Sequence, residues 1–159
     1  AYEIPKRDWS SDVCSSDLHD QQSVWAALTT PDQYAKWFAP GVIELSTGGA
    51  VKVTFPGSNT VIDSKVSACI APRLFEFSFS NVGEPLRPVR WETAPSADGT
   101  LVTITVTIPG NEDIARTCAG WEAHLAMLEA VLKGSPIPFP FETFKNAREA
   151  YRAKAAALA

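Results

Sequence analysis

Cysteine and histidine are scarce: three of the first and two of the second in 159 residues. No CxxC pair occurs, and a disulfide scaffold would need more thiols, so a reduced, cytoplasmic setting is expected. Two histidines, His19 and His124, are too few for an imidazole-rich metal site, and no Cys/His spacing suggests zinc. The formal charge of −4 leaves no basic stripe, which argues against nucleic acid as a partner. No apolar run approaches the roughly 18–20 residues of a membrane span, and no charged-then-apolar leader is visible. No serine sits in a nucleophile-elbow pattern, and no glycine-rich loop joins a strand to a helix as phosphate binding requires. No cofactor is expected.

What is present is a soluble-type composition, 45% hydrophobic and 20% charged, in a length that suits one domain. The segment Asn111–Lys133 organises the rest. Trp121, Leu125, Leu128 and Leu132 recur at i, i+4, i+7 and i+11, one stripe of an α-helix, and Gly134 follows as a C-cap would. Such a stripe needs a surface to cover, and Val42–Ile108 supplies it. Six strand signals run there: Val42–Leu45, Val51–Phe55, Thr60–Ile70, Leu74–Ser80, Val89–Thr93 and Thr100–Ile108. Short turns such as Thr47-Gly48-Gly49 and Pro56–Asn59 join them, so an antiparallel meander is expected. In the long strand Ile62, Val66, Ala68 and Ile70 should share one face.

Two short helices precede the sheet, one over Ser23–Leu28 and one opened by Pro31 with Thr30 as N-cap, carrying Tyr34, Trp37 and Phe38 on its apolar face. After the long helix, Ser135–Pro140 must be extended, and Phe141–Leu158 is helical with Phe144, Ala147, Tyr151, Ala155 and Leu158 on a narrow stripe. That helix should lie on the outside. Asp8–Leu18 reads DWSSDVCSSDL and resembles the in-frame translation of a sequencing adapter. Residues 1–18 are therefore set apart as a non-native segment, with residues 19–159 a single domain. A seventh strand, ahead of Ser23, is what this stretch would have displaced.

The run from Val24 to Phe38, with Gly48-Gly49, Pro72-Arg73-Leu74, Gly99-Thr100 and Gly120-Trp121 following in order, carries a resemblance. It is similar to the SRPBCC (START-like, birch-pollen-allergen-like) superfamily, and more narrowly to bacterial members of the heat-shock-protein-90 ATPase activator homologue family. The resemblance implies an α+β helix-grip fold: a curved antiparallel sheet wrapped round a long C-terminal helix, enclosing an apolar cavity. The chain departs from it by the missing first strand. With that fold, the cavity wall is expected from Phe38, Val53, Phe55, Val66, Phe75, Phe77, Phe79, Trp91, Ile104, Trp121, His124, Leu125 and Leu128. Phe77, Trp91, Trp121 and Leu125 in particular should border one enclosed pocket.

Each of these residues taken singly also suits plain core packing. Cys69 and Cys118 read as small core residues, and Asn111-Glu112-Asp113 as helix capping. His124 borders the inward stripe, where it would orient a polar ligand or move a proton; a solvated or backbone-bonded histidine is the plainer role. Function is then a container for a small apolar or amphipathic molecule, acting as monomer or homodimer. A cyclase, dehydratase or hydrolase using the same cavity comes second, and regulation of a chaperone ATPase third.

The polar stretch generates a test. Serine and aspartate favour turns over strands because they bond their own backbone. Replacing Asp8–Leu18 with an alternating Val/Thr strand should raise the melting temperature and suppress self-association. Equal melting, with the chain as written staying monomeric, would contradict the adapter reading.

Overall fold

The computed structural model describes Tyr2–Glu3, Arg7–Asp8, residues 20–97 and residues 99–158. Its strands are β1 (Tyr2–Glu3), β2 (Arg7–Asp8), β3 (Gly41–Ile43), β4 (Ala50–Phe55), β5 (Thr60–Ile70), β6 (Leu74–Ser78), β7 (Pro88–Ser96) and β8 (Gly99–Val106). The helices are α1 (Gln21–Thr29), α2 (Pro31–Tyr34), α3 (Ile114–Leu132) and α4 (Phe141–Leu158). Strands β3 to β8 pair consecutively and antiparallel, forming the expected curved meander of the helix-grip fold. Alternation decides which side faces in. On β8, Val102, Ile104 and Val106 are buried while Leu101, Thr103 and Thr105 are half-exposed.

The edge of β8 departs from expectation. It is paired by β1, with Tyr2 opposite Val106, and by β2, with Arg7 opposite Val102. Ladder bonds are backbone bonds, so any extended segment within reach can cover an open edge. Asp8 itself belongs to β2; the remainder of the adapter-like stretch, Trp9–Leu18, lies outside the described residues.

The face assigned to β5 also needs correcting. Val66 pairs with Phe77, but Ala68 pairs with Glu76, so Ser67 is an extra residue in a β-bulge. One inserted residue reverses the alternation beyond it. Cys69 therefore packs against the core, and Ile70, expected inside, is 49% exposed. The Ser67 hydroxyl donates to Glu76 Oε1 at 2.7 Å on the solvent side. Bulges also bend a strand, which helps the sheet curl around α3.

Helix α3 is bounded as its sequence requires. Asp113 is the N-cap, its carboxylate accepting from the Arg116 backbone N–H at 2.9 Å. At the other end Gly134 adopts φ +75°, Gly134 N–H donates to Val131 O at 3.0 Å, and Ser135 N–H donates to Ala130 O at 2.8 Å. These two bonds form a Schellman motif, which needs a left-handed residue where Gly134 stands. Between the caps Trp121, Leu125, Leu128 and Leu132 are all buried against the sheet.

The N-terminal helices close one end of the core. Helix α2 stops at Tyr34, earlier than expected, and continues as turns through Trp37. Tyr34, Trp37 and Phe38 are nevertheless all buried, with Trp37 Nε1 donating to Ala27 O at 2.8 Å and Tyr34 OH to Gly41 O at 2.7 Å. Thr30 caps α2 by position but makes no side-chain cap bond. Gln21 Nε2 donates to Thr93 O at 3.0 Å, fastening α1 to β7. Helix α4 packs along α3, with Phe144, Ala147, Tyr151 and Ala155 half-buried; the side chain of Leu158 lies outside the described residues.

Trp121, only 4% exposed, packs edge-on against Trp91 with ring centroids 5.7 Å apart. Trp121→Ala should cost about 3–5 kcal/mol of stability, the range for deleting a buried large aromatic. Denaturant melts measure this, and a loss under ~1 kcal/mol would mean that the ring is optional.

Candidate functional site: an aromatic cleft

Sheet and helix part company at one end, where the β4–β5 turn, the end of β6, the N-terminal half of α3 and the start of α4 meet. The gap is an open cleft of about 940 Å³. Phe38, Phe55, Phe79, Trp121 and His124 line it, five of the residues expected around a cavity. Val53, Val66, Phe75, Phe77, Trp91, Ile104, Leu125 and Leu128 do not line this cleft; they belong to the hydrophobic core, each at most 2% exposed. Sequence alternation finds the inward face of a strand but not how far along that face the neighbours close together.

The cleft wall is a continuous array of rings. Phe38 stacks on Trp121 at 5.7 Å and an interplanar angle of 16°. Phe55 meets Phe38 edge-on at 5.0 Å, and Phe79 meets Trp121 edge-on at 5.4 Å. Across from them Phe139, from the proline-rich segment, lies 5.7 Å from the His124 ring and 5.0 Å from Phe141. Aromatic pairs at these separations prefer tilted and edge-on geometry, and they present flat apolar faces to whatever enters.

Several lining residues escaped the sequence reading. Phe139, Phe141 and Phe144 come from the proline-rich linker and the helix expected on the outside of the domain, yet they form the far wall. Met127 and Thr117 face the cleft from α3. Gly120 is the most informative. It sits inside α3, where glycine costs up to about 1 kcal/mol relative to alanine. A Cβ added there would meet nothing within 4 Å. Its lack of a side chain relieves no clash; it leaves the cleft open. An unexplained glycine within a helical stripe was the signal available.

The mouth is polar and largely self-paired. Glu112 accepts from Arg87, Nη2 to Oε1 at 2.7 Å, and Asp113 accepts from Arg148 at 2.7 Å. The Arg116 backbone N–H and then Arg148 hold the Asp113 carboxyl below its usual range. These bridges are partly exposed and contribute little to stability. Cys118 is buried, and burial together with Glu122 pushes its thiol up, away from nucleophilic character. Among the described residues no cluster of His, Cys, Asp and Glu could hold a metal ion.

His124 is the titratable group on the apolar part of the wall. Its Nδ1 lies 2.8 Å from Trp37 O, a carbonyl that only accepts, so Nδ1 carries the hydrogen and neutral Nε2 keeps its lone pair. Rings of Phe38, Phe55, Trp121 and Phe139 stand around it at 5.7–6.1 Å. Burial lowers the histidine pKa below its ordinary 6.5, and the bond to Trp37 only partly offsets this.

A stability effect follows from that shift. The unfolded chain binds a proton near pH 6.5 that folded His124 resists, so stability should fall as pH drops below about 6.5. Urea melts between about pH 7 and pH 5.5 should show the loss in the parent chain, and His124→Gln should flatten it.

A family model described as Activator of Hsp90 ATPase homolog 1-like protein matches residues 19–133. No curated protein matches the chain significantly. Among solved structures, protein MLL2253 of Mesorhizobium loti superposes with a TM-score of 0.71 at 16% identity, covering 86% of this chain and 100% of that one. CalU16 of Micromonospora echinospora gives 0.70 at 24% identity, covering 85% and 81%. The Aha1 dimer of Colwellia psychrerythraea gives 0.63 at 17% identity, covering 83% and 96%. At these identities the likeness establishes a shared fold. With the family match spanning most of the sequence, the chain belongs to the Activator of Hsp90 ATPase homolog 1-like family.

Proposed function

We propose that the protein is a binding module that holds a small hydrophobic or amphipathic molecule in the cleft between sheet and α3. The observation that carries this is Gly120, which keeps open a volume of about 940 Å³ walled by aromatic rings. Pockets of several hundred cubic ångströms with mostly apolar walls and a few polar groups suit small organic ligands. The apolar floor would take a hydrophobic body, and the mouth around Glu112, Asp113 and Arg116 would take a polar end. Cys69 and Cys118 are both free thiols, in keeping with a reduced cytoplasmic setting. We read the module as working alone or as a homodimer; one relative of the same fold is described as a dimer. An enzymatic role has one observation in its favour, the neutral His124 with Nε2 available as a base.

Titration with 1-anilinonaphthalene, whose fluorescence rises in apolar surroundings, tests the binding reading. The parent chain should bind it, and Gly120→Leu should weaken binding about tenfold or more by filling the cleft. The same substitution should leave the melting temperature unchanged or higher, since it removes a mid-helix glycine. Parent-like binding by Gly120→Leu would contradict the assignment. Native mass spectrometry of protein purified from cells would identify a resident ligand directly.

A further inference from the structure

Resting on the binding reading above, we propose that His124 selects ligands that donate a hydrogen bond, namely planar aromatic molecules bearing a phenol-type hydroxyl. Three features support the assignment. The ring is fixed by its 2.8 Å bond from Nδ1 to Trp37 O, a residue fastened in turn to Ala27 O through its indole. That bond consumes the one N–H of the neutral imidazole. What remains is Nε2, an acceptor with no hydrogen-bond partner among the described residues and with some surface still accessible.

The surroundings sharpen the selection. Four aromatic rings stand within 6.1 Å of the imidazole; the three phenyl rings offer a ligand planar faces with no hydrogen-bonding group, and the fourth is the Trp121 indole. Desolvation there favours the neutral ring. A carboxylate is an acceptor only and finds no donor in a ring whose N–H is spent. A phenolic hydroxyl, un-ionised at neutral pH, donates to Nε2 while its ring lies against Phe38, Phe55 or Phe139. The cationic group of the cleft, Arg116, is at the mouth, eight residues up the same helix and so about 12 Å along its axis. An anionic substituent would therefore sit at the far end of the ligand and not at His124.

The test compares 2-naphthol with 2-methylnaphthalene, which match in shape and differ in the donor. Their affinity ratio is measured by tryptophan-fluorescence titration for the parent chain and for His124→Phe. Comparing ratios cancels the different hydration of the two ligands. The ratio should fall about tenfold in the variant, because a donor buried without a partner is costly. Independently of any variant, 15N NMR of the parent should show the Nε2 resonance of His124 shifting with 2-naphthol and not with 2-methylnaphthalene. An unchanged ratio, or an Nε2 signal that ignores 2-naphthol, overturns the selection by His124 while leaving the cleft intact as an apolar site. Failure of both compounds to bind overturns the binding reading as well.

Discussion

Helix α3 has to satisfy two demands with one face. Its stripe from Trp121 to Leu132 must be covered by the sheet, since an isolated apolar helix of this kind has little stability of its own. The same face, one turn nearer the N-terminus, must stay uncovered for the cleft to exist. Trp121 stands at the boundary. Its edge meets Trp91 on β7, and its face stacks on Phe38. The indole is thus a core residue on one side and a wall on the other. Neighbouring Gly120 marks where packing stops.

That arrangement explains which parts of the molecule were legible beforehand. Strand and helix periodicities depend on backbone geometry alone, so β5 over Thr60–Ile70 and the buried stripe of α3 could be read off directly. The bulge at Ser67 could not. Nothing in a serine between Val66 and Ala68 announces an extra residue, and Ile70 is as apolar as any core residue. The division of the thirteen expected wall residues has a similar cause. Phe55 and Val53 share a face of β4, but Phe55 ends the strand beside the open cleft and Val53 is enclosed in the core. The pattern gives direction, and only the tertiary arrangement gives depth.

The histidine shows how a backbone group can set the chemistry of a side chain. Trp37 O belongs to the turns after α2, a stretch whose identity was evident only as aromatic residues wanting burial. Placed against His124 it fixes a tautomer, and the ring becomes an acceptor instead of a donor. Neither residue reveals this alone, because they lie 87 positions apart in the chain.

The far wall has a different standing from the rest. The family match ends at residue 133, one position before the glycine that terminates α3, whereas Phe139, Phe141 and Phe144 come after it. The far wall of the cleft therefore comes from residues beyond the matched stretch. Helix α4 holds that wall in place by packing along α3, with Arg148 bonded to Asp113 and Tyr151 to Glu122 across the seam. A change in the seam between α3 and α4 would therefore reshape the cleft without touching the sheet.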